Sequence, residues 1–157
     1  MQFVPETVID NAIERLEMKN HFEKAIQTLE SEQPNLMAYI HHENHSLLTN
    51  DEGLMLEFMA TVIYESIRNT KGQVPTLQGS DIEEADEANW AVFNEHSSKK
   101  FNAILDVFFK EYPQEDLLAF VEDTLQADEE QIVTPVGREI LFIACKSIID
   151  TLHNKNN

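Results

Sequence analysis

Gln33-Pro-Asn-Leu-Met-Ala-Tyr-Ile40 returns later in the chain as Gln114-Glu-Asp-Leu-Leu-Ala-Phe-Val121. Gln, Leu and Ala are identical at three of the eight positions, and three more exchange one apolar side chain for another. Similar segments bury similar faces, so a repeat constrains architecture before any chemical motif does. Upstream, Phe22, Ile26, Leu29 and Pro34 match Phe101, Leu105, Phe108 and Pro113 in type and spacing. Downstream, after short insertions in the second copy, Gly53, Leu56, Phe58, Met59 and Ala60 face Gly137, Ile140, Phe142, Ile143 and Ala144. Amphipathic helices resemble one another by periodicity alone. The proline punctuation, however, and a connector at 69–80 that holds two Gly, one Pro and no acid favour duplication. The reading is a single domain over 1–157 with an internal repeat, 1–68 and 81–157.

Helical spacing runs through both halves. Ile9, Ala12, Ile13 and Leu16 form one buried stripe, with Glu6, Asp10, Glu14 and Glu17 opposite. Phe22, Ala25, Ile26 and Leu29 form the next, and Pro34 opens a third helix with Leu36, Tyr39 and Ile40 inward. Thr49 and Glu52 have capping-box spacing before a fourth helix at about 50–68, and Ser80 with Glu83 repeats that spacing after the connector. Thr134 and Pro135 mark the start of the last helix. Helices four and eight carry only narrow polar stripes: Glu57, Thr61, Glu65 and Arg68 in one, and Glu139, Lys146 and Asp150 in the other. Helices apolar on most sides belong at a domain's centre, so these two are expected to pack together. No segment alternates as a strand does. The expected fold is all-α: about eight helices as two tandem, related four-helix units packed into one globular domain, either a bundle or a short helical-repeat stack.

Charge is the strongest compositional signal. The 157 residues hold 29 acids and 11 bases, a net charge of −18. Between Glu111 and Glu130 there are eight acids and no base. That field repels nucleic-acid phosphate and anionic lipid, so neither DNA, RNA nor membrane is an expected partner. It speeds encounter with a basic protein surface. A single cysteine, Cys145, excludes an internal disulfide and fits a reducing compartment. With no signal-peptide pattern at Met1-Gln-Phe-Val-Pro-Glu, the expected location is cytoplasmic.

The four glycines are isolated, which removes the dinucleotide fingerprint, the P-loop and the nucleophile elbow. No Glu-x-x-His occurs, so the ferritin-like di-metal pattern is absent. Cys145 has apolar sequence neighbours and reads as an inert core thiol. Trp90 and Phe93 read as core aromatics, with a small-molecule pocket as the alternative. In His41-His-Glu-Asn-His45, a third helix continuing this far would bring His41 and His45 one turn apart, a spacing suited to a transition metal. His42-Glu-Asn-His45 is one residue short of the HExxH pattern.

The functional expectation leans away from an enzyme. It is a protein-interaction module (adaptor, inhibitor or immunity-type) that presents an acidic surface to a basic protein. The candidate contact residues are Glu115, Asp116, Glu122, Asp123, Asp128, Glu129 and Glu130. The alternatives are a metal-binding protein using His41, His42 and His45, and a binder of a small apolar ligand between the central helices. No other cofactor is expected, and an uncovered apolar face would suit a homodimer.

Overall fold

Proline and threonine place the helix starts. Pro34 and Pro135 each occupy the first position of a helix, where the missing N–H is one of the amides that lack an intrahelical acceptor. Thr49 and Glu52 close a full capping box. A computed structural model describes residues 1–126 and 132–155, and within them every regular element is helical. The order is α1 (Glu6–Leu16), α2 (His21–Glu32), α3 (Pro34–Ile40), a 3-10 turn (Glu43–His45), α4 (Asn50–Lys71), α5 (Gly79–Glu95), α6 (Phe101–Phe109), α7 (Glu115–Gln126) and α8 (Pro135–Lys155). No described helix is long and apolar enough to cross a membrane.

Four expectations change. Ser80 and Glu83 lie inside α5, whose N-cap is Gln78 with no side-chain cap bond, so that second capping box does not form. The fourth helix runs on to Lys71 and stops where Gly72 takes φ 97, a left-handed conformation that glycine adopts without steric penalty. On α8, Lys146 does not face solvent: it is buried, and Asp150 is half-buried beside it. On α4, Thr61 is buried while Leu54 is 62% exposed, the reverse of their expected faces.

The two apolar helices α4 and α8 pack against each other, as their narrow polar stripes led us to expect. Around this pair, α1 and α2 lie on α4, and α5 and α7 lie on α8. Besides the α4–α8 pair, α3 packs on α5 and α1 packs on α7 across the halves. Thirteen residues of α8 are buried, among them Phe142, Cys145 and Ile149.

Two buried glutamines hold these crossings. Gln33, just before α3, accepts from Leu77 N–H (2.8 Å) and donates to the Pro75 carbonyl (2.8 Å) and to the Tyr64 hydroxyl (3.3 Å). Gln114, just before α7, accepts from Val4 N–H (3.0 Å) and donates to the Gln2 carbonyl (3.0 Å). Each glutamine therefore clasps residues j and j−2 of the extended segment that leads into a helix of the other half. Both glutamines are fully buried, so removing the amide strands backbone groups away from water. Gln114→Leu is expected to cost about 2–3 kcal/mol in urea denaturation and to speed hydrogen exchange at the Val4 amide by about tenfold or more.

Candidate functional site

The α1–α7 crossing leaves a groove of about 360 Å³. Its lining is Ile9, Ile13, Ala119 and Phe120 on the apolar side, and Glu6, Asp10, Asp116, Asp123 and Thr124 on the polar side. No basic residue lines it. The arrangement follows from two helical stripes meeting: Ile9 and Ile13 lie one turn apart on α1, with Asp10 at the edge of that stripe, and Phe120 is three residues from Asp123 on α7. Asp116 also works structurally, because its Oδ2 accepts from the Glu6 amide at 3.0 Å, placing a negative charge on the positive end of α1.

The acids expected at a contact surface thus separate. Asp116 and Asp123 line the groove. Glu115 is exposed at the start of α7. Glu122 is half-buried and accepts from Gln126 Nε2 at 3.3 Å; burial, then the charges of Asp123 and Asp106, raise its carboxyl above the ordinary glutamate range. Asp128, Glu129 and Glu130 lie outside the described residues. In the sequence Glu6 and Asp10 mark only the solvent face of α1. The missing signal was the pairing of α1 with a helix about 110 positions away, which no local pattern encodes.

The three histidines line one open cleft of about 380 Å³ with Glu43 and Glu57, and each ring has a different partner. The third helix ends at Ile40, so His41 and His45 do not share a helix face, and the one-turn ligand pair does not form. His41 Nε2 lies 3.1 Å from Glu57 Oε1. His42 Nδ1 accepts from the Asn44 amide and caps the 3-10 turn. His45 Nδ1 donates to the Ile40 carbonyl at 3.1 Å, and its ring packs edge-on to Tyr39 with centroids 5.0 Å apart. Burial, partly offset by the Ile40 carbonyl, lowers the His45 pKa. Among the described residues no three His, Cys, Asp or Glu side chains gather as a metal site. Cys145 is fully buried, and burial pushes its thiol far up. Phe93 is buried and Trp90 packs on it edge-on, with centroids 5.5 Å apart.

A polar seam buried between α5 and α8 was not expected. Lys146 Nζ donates to Asp150 Oδ2 at 2.8 Å and to Asn89 Oδ1 at 2.9 Å, and lies 4.8 Å from the Tyr112 ring centroid. Asn89 donates to Ser147 Oγ and to Asp150 Oδ2, both at 3.0 Å, and the Tyr112 hydroxyl donates to Asp150 Oδ1. Nearby the Tyr39 hydroxyl donates to Asp86 Oδ1. Burial first, then the neighbouring carboxylate, drives both tyrosine hydroxyls far above their ordinary range. Every group here has a partner, so the seam reads as a device that sets the register of α5 against α8.

Comparison with protein-family models, with curated proteins and with solved structures finds no match.

Proposed function

We propose that this chain is a non-enzymatic protein-interaction module that holds a basic amphipathic helix of a partner protein in the α1–α7 groove. One observation carries the reading: an apolar floor of Ile9, Ile13, Ala119 and Phe120 is flanked by four carboxylates and by no cation. An apolar helix stripe fills such a floor, and lysines or arginines beside that stripe meet Glu6, Asp10, Asp116 and Asp123. The apolar contacts set affinity, and the acids steer encounter and orientation. The surrounding charge of −18 acts in the same direction. The histidine alternative has a cleft of its own, about 380 Å³, but each ring there is already held by its own partner, which favours the groove.

A synthetic leucine–lysine helix about five turns long, titrated by fluorescence anisotropy, tests the site. Asp10→Lys/Asp123→Lys, placed on two exposed rim positions, is expected to weaken binding by about tenfold or more and to flatten its salt dependence. Equal binding by wild type and this variant overturns the reading, as does no binding at all.

We also infer that the chain is built of two related four-helix units, α1–α4 and α5–α8. The support is the matched pair of glutamine clasps, which makes Val4 the counterpart of Leu77 and Gln33 the counterpart of Gln114. Carried along the helices, that register places Asp86 at the position of Ile13 and Tyr39 at that of Phe120. A cleft of about 240 Å³ lies there, lined by Tyr39, His42, Asn44, Glu83, Asp86 and Glu87. In it the Tyr39–Asp86 hydrogen bond spans the gap that Ile13 and Phe120 leave open in the other groove. One groove is open and its counterpart latched, so binding one helix per chain is the expected stoichiometry.

A further inference from the structure

We propose that the cleft enclosed by the end of α1, the first turns of α2 and the outer face of α4 binds a small phosphate-bearing anion. The cleft measures about 350 Å³ and is lined by Arg15, Leu16, His21, Lys24, Ala25, Thr28, Glu65 and Arg68. In a chain with 29 acids and 11 bases, its wall carries three fixed cations and one carboxylate. Arg68 is held in place by Glu65 (Nη1 to Oε1, 3.2 Å) and Glu32 (Nε to Oε2, 3.7 Å). Among the described residues, neither Arg15 nor Lys24 has a carboxylate within ion-pair distance. Acids are so abundant that two adjacent cations without one stand out.

The chemistry fits phosphate. A guanidinium fork and an ammonium converge on one cleft, and both are strong donors to phosphate oxygens. The α2 N-terminus itself is not part of the site, because its first turn carries Glu23 and its first amide, that of His21, donates to the Met18 carbonyl at 3.1 Å. Leu16 and Ala25 are buried at the base and leave a small apolar floor. That floor accommodates the organic part of a phosphate ester. Glu65 and Glu32 are engaged by Arg68, which leaves Arg15 and Lys24 as the charges offered to an anion, and acids farther off are screened beyond a Debye length of about 8 Å at physiological salt.

The test is a titration with inorganic phosphate, pyrophosphate and ATP, followed by amide chemical shifts, with sodium chloride at matched ionic strength as the control. Saturable shifts confined to residues 15–28 and 65–68, tightest for the ligand with the most phosphates, are the expected result. Arg15→Gln/Lys24→Gln, at two exposed positions, is expected to weaken binding by about tenfold or more. The site shares no residue with the α1–α7 groove, so Asp10→Lys/Asp123→Lys should leave anion binding in place whether or not that groove binds a helix. Shifts reproduced by sodium chloride, shifts spread over the whole surface, or unchanged affinity in the Arg15/Lys24 variant would each overturn the proposal.

Discussion

Gly137→Ala is expected to destabilise the protein by about 3–5 kcal/mol, lowering its melting temperature by about 10 °C. A Cβ at Gly137 would overlap the carboxylate of Glu52. That carboxylate is fully buried and serves two helices. Its Oε1 accepts from the Thr49 amide at 2.9 Å at the start of α4. Its Oε2 accepts from the Thr134 amide at 2.7 Å and the Thr134 hydroxyl at 2.9 Å at the start of α8. One negative charge therefore sits on the positive ends of both central helices. Displacing it breaks both caps and strands donors in the interior. Gly53 offers the control: a Cβ there meets nothing within 4 Å, so Gly53→Ala is expected to stabilise by about 0.5–1 kcal/mol through helix propensity.

The same carboxylate makes stability depend on pH. Burial alone would raise its pKa, and the hydrogen bonds from Thr49 and Thr134 outweigh that and hold it below the ordinary glutamate value. A depressed folded-state pKa gives stability that is fully present above the unfolded value, about 4.3, and lost as pH falls through the folded value. Glu52→Gln is expected to lower stability at neutral pH and to flatten the acid limb of a stability–pH profile measured below about pH 5.

Asp150→Ala carries the second large effect, a loss of about 3 kcal/mol or more in chemical denaturation. It removes the acceptor of three donors at once, those of Lys146, Asn89 and Tyr112. Lys146, with its side chain 10% exposed, is then left as a buried charge without a carboxylate. The cost comes from stranding the ammonium rather than from the intrinsic worth of the pair. Lys146→Met in the Asp150→Ala background is accordingly expected to recover most of the loss, because it removes the charge and keeps the apolar stem over Phe108 and Tyr112. If the double variant were as unstable as the single one, Lys146 would not be the source of the penalty.

The sites were less legible than the fold. Charge density on one helix points to Asp116 and Asp123, and both line the groove. Glu6 and Asp10 complete its rim, yet on α1 they follow the same surface pattern as Glu14 and Glu17. Lys146 was assigned to solvent because a lysine on an otherwise apolar helix normally is. Asp150, one turn along α8, and Asn89 and Tyr112, arriving from two other segments, together offset the cost of its burial. The one-turn pairing of His41 with His45 fails for a local reason: the third helix stops at Ile40, and His42 turns back to cap the next turn instead of continuing it.

By itself the sequence determined that the chain is helical, where α3, α4 and α8 begin, and that α4 and α8 are central. Periodicity, proline and capping threonine act within one or two turns, and these features need nothing else. Tertiary structure alone decided the glutamine clasps, the shared Glu52 cap, the polar seam, and which acids and bases meet across a groove. Those joins link Gln114 to Val4, Glu52 to Thr134 and Asn89 to Lys146, residues 57 to 110 positions apart. At such separations the pairing is set by how apolar faces pack as a whole, and a local window of sequence contains no trace of the partner.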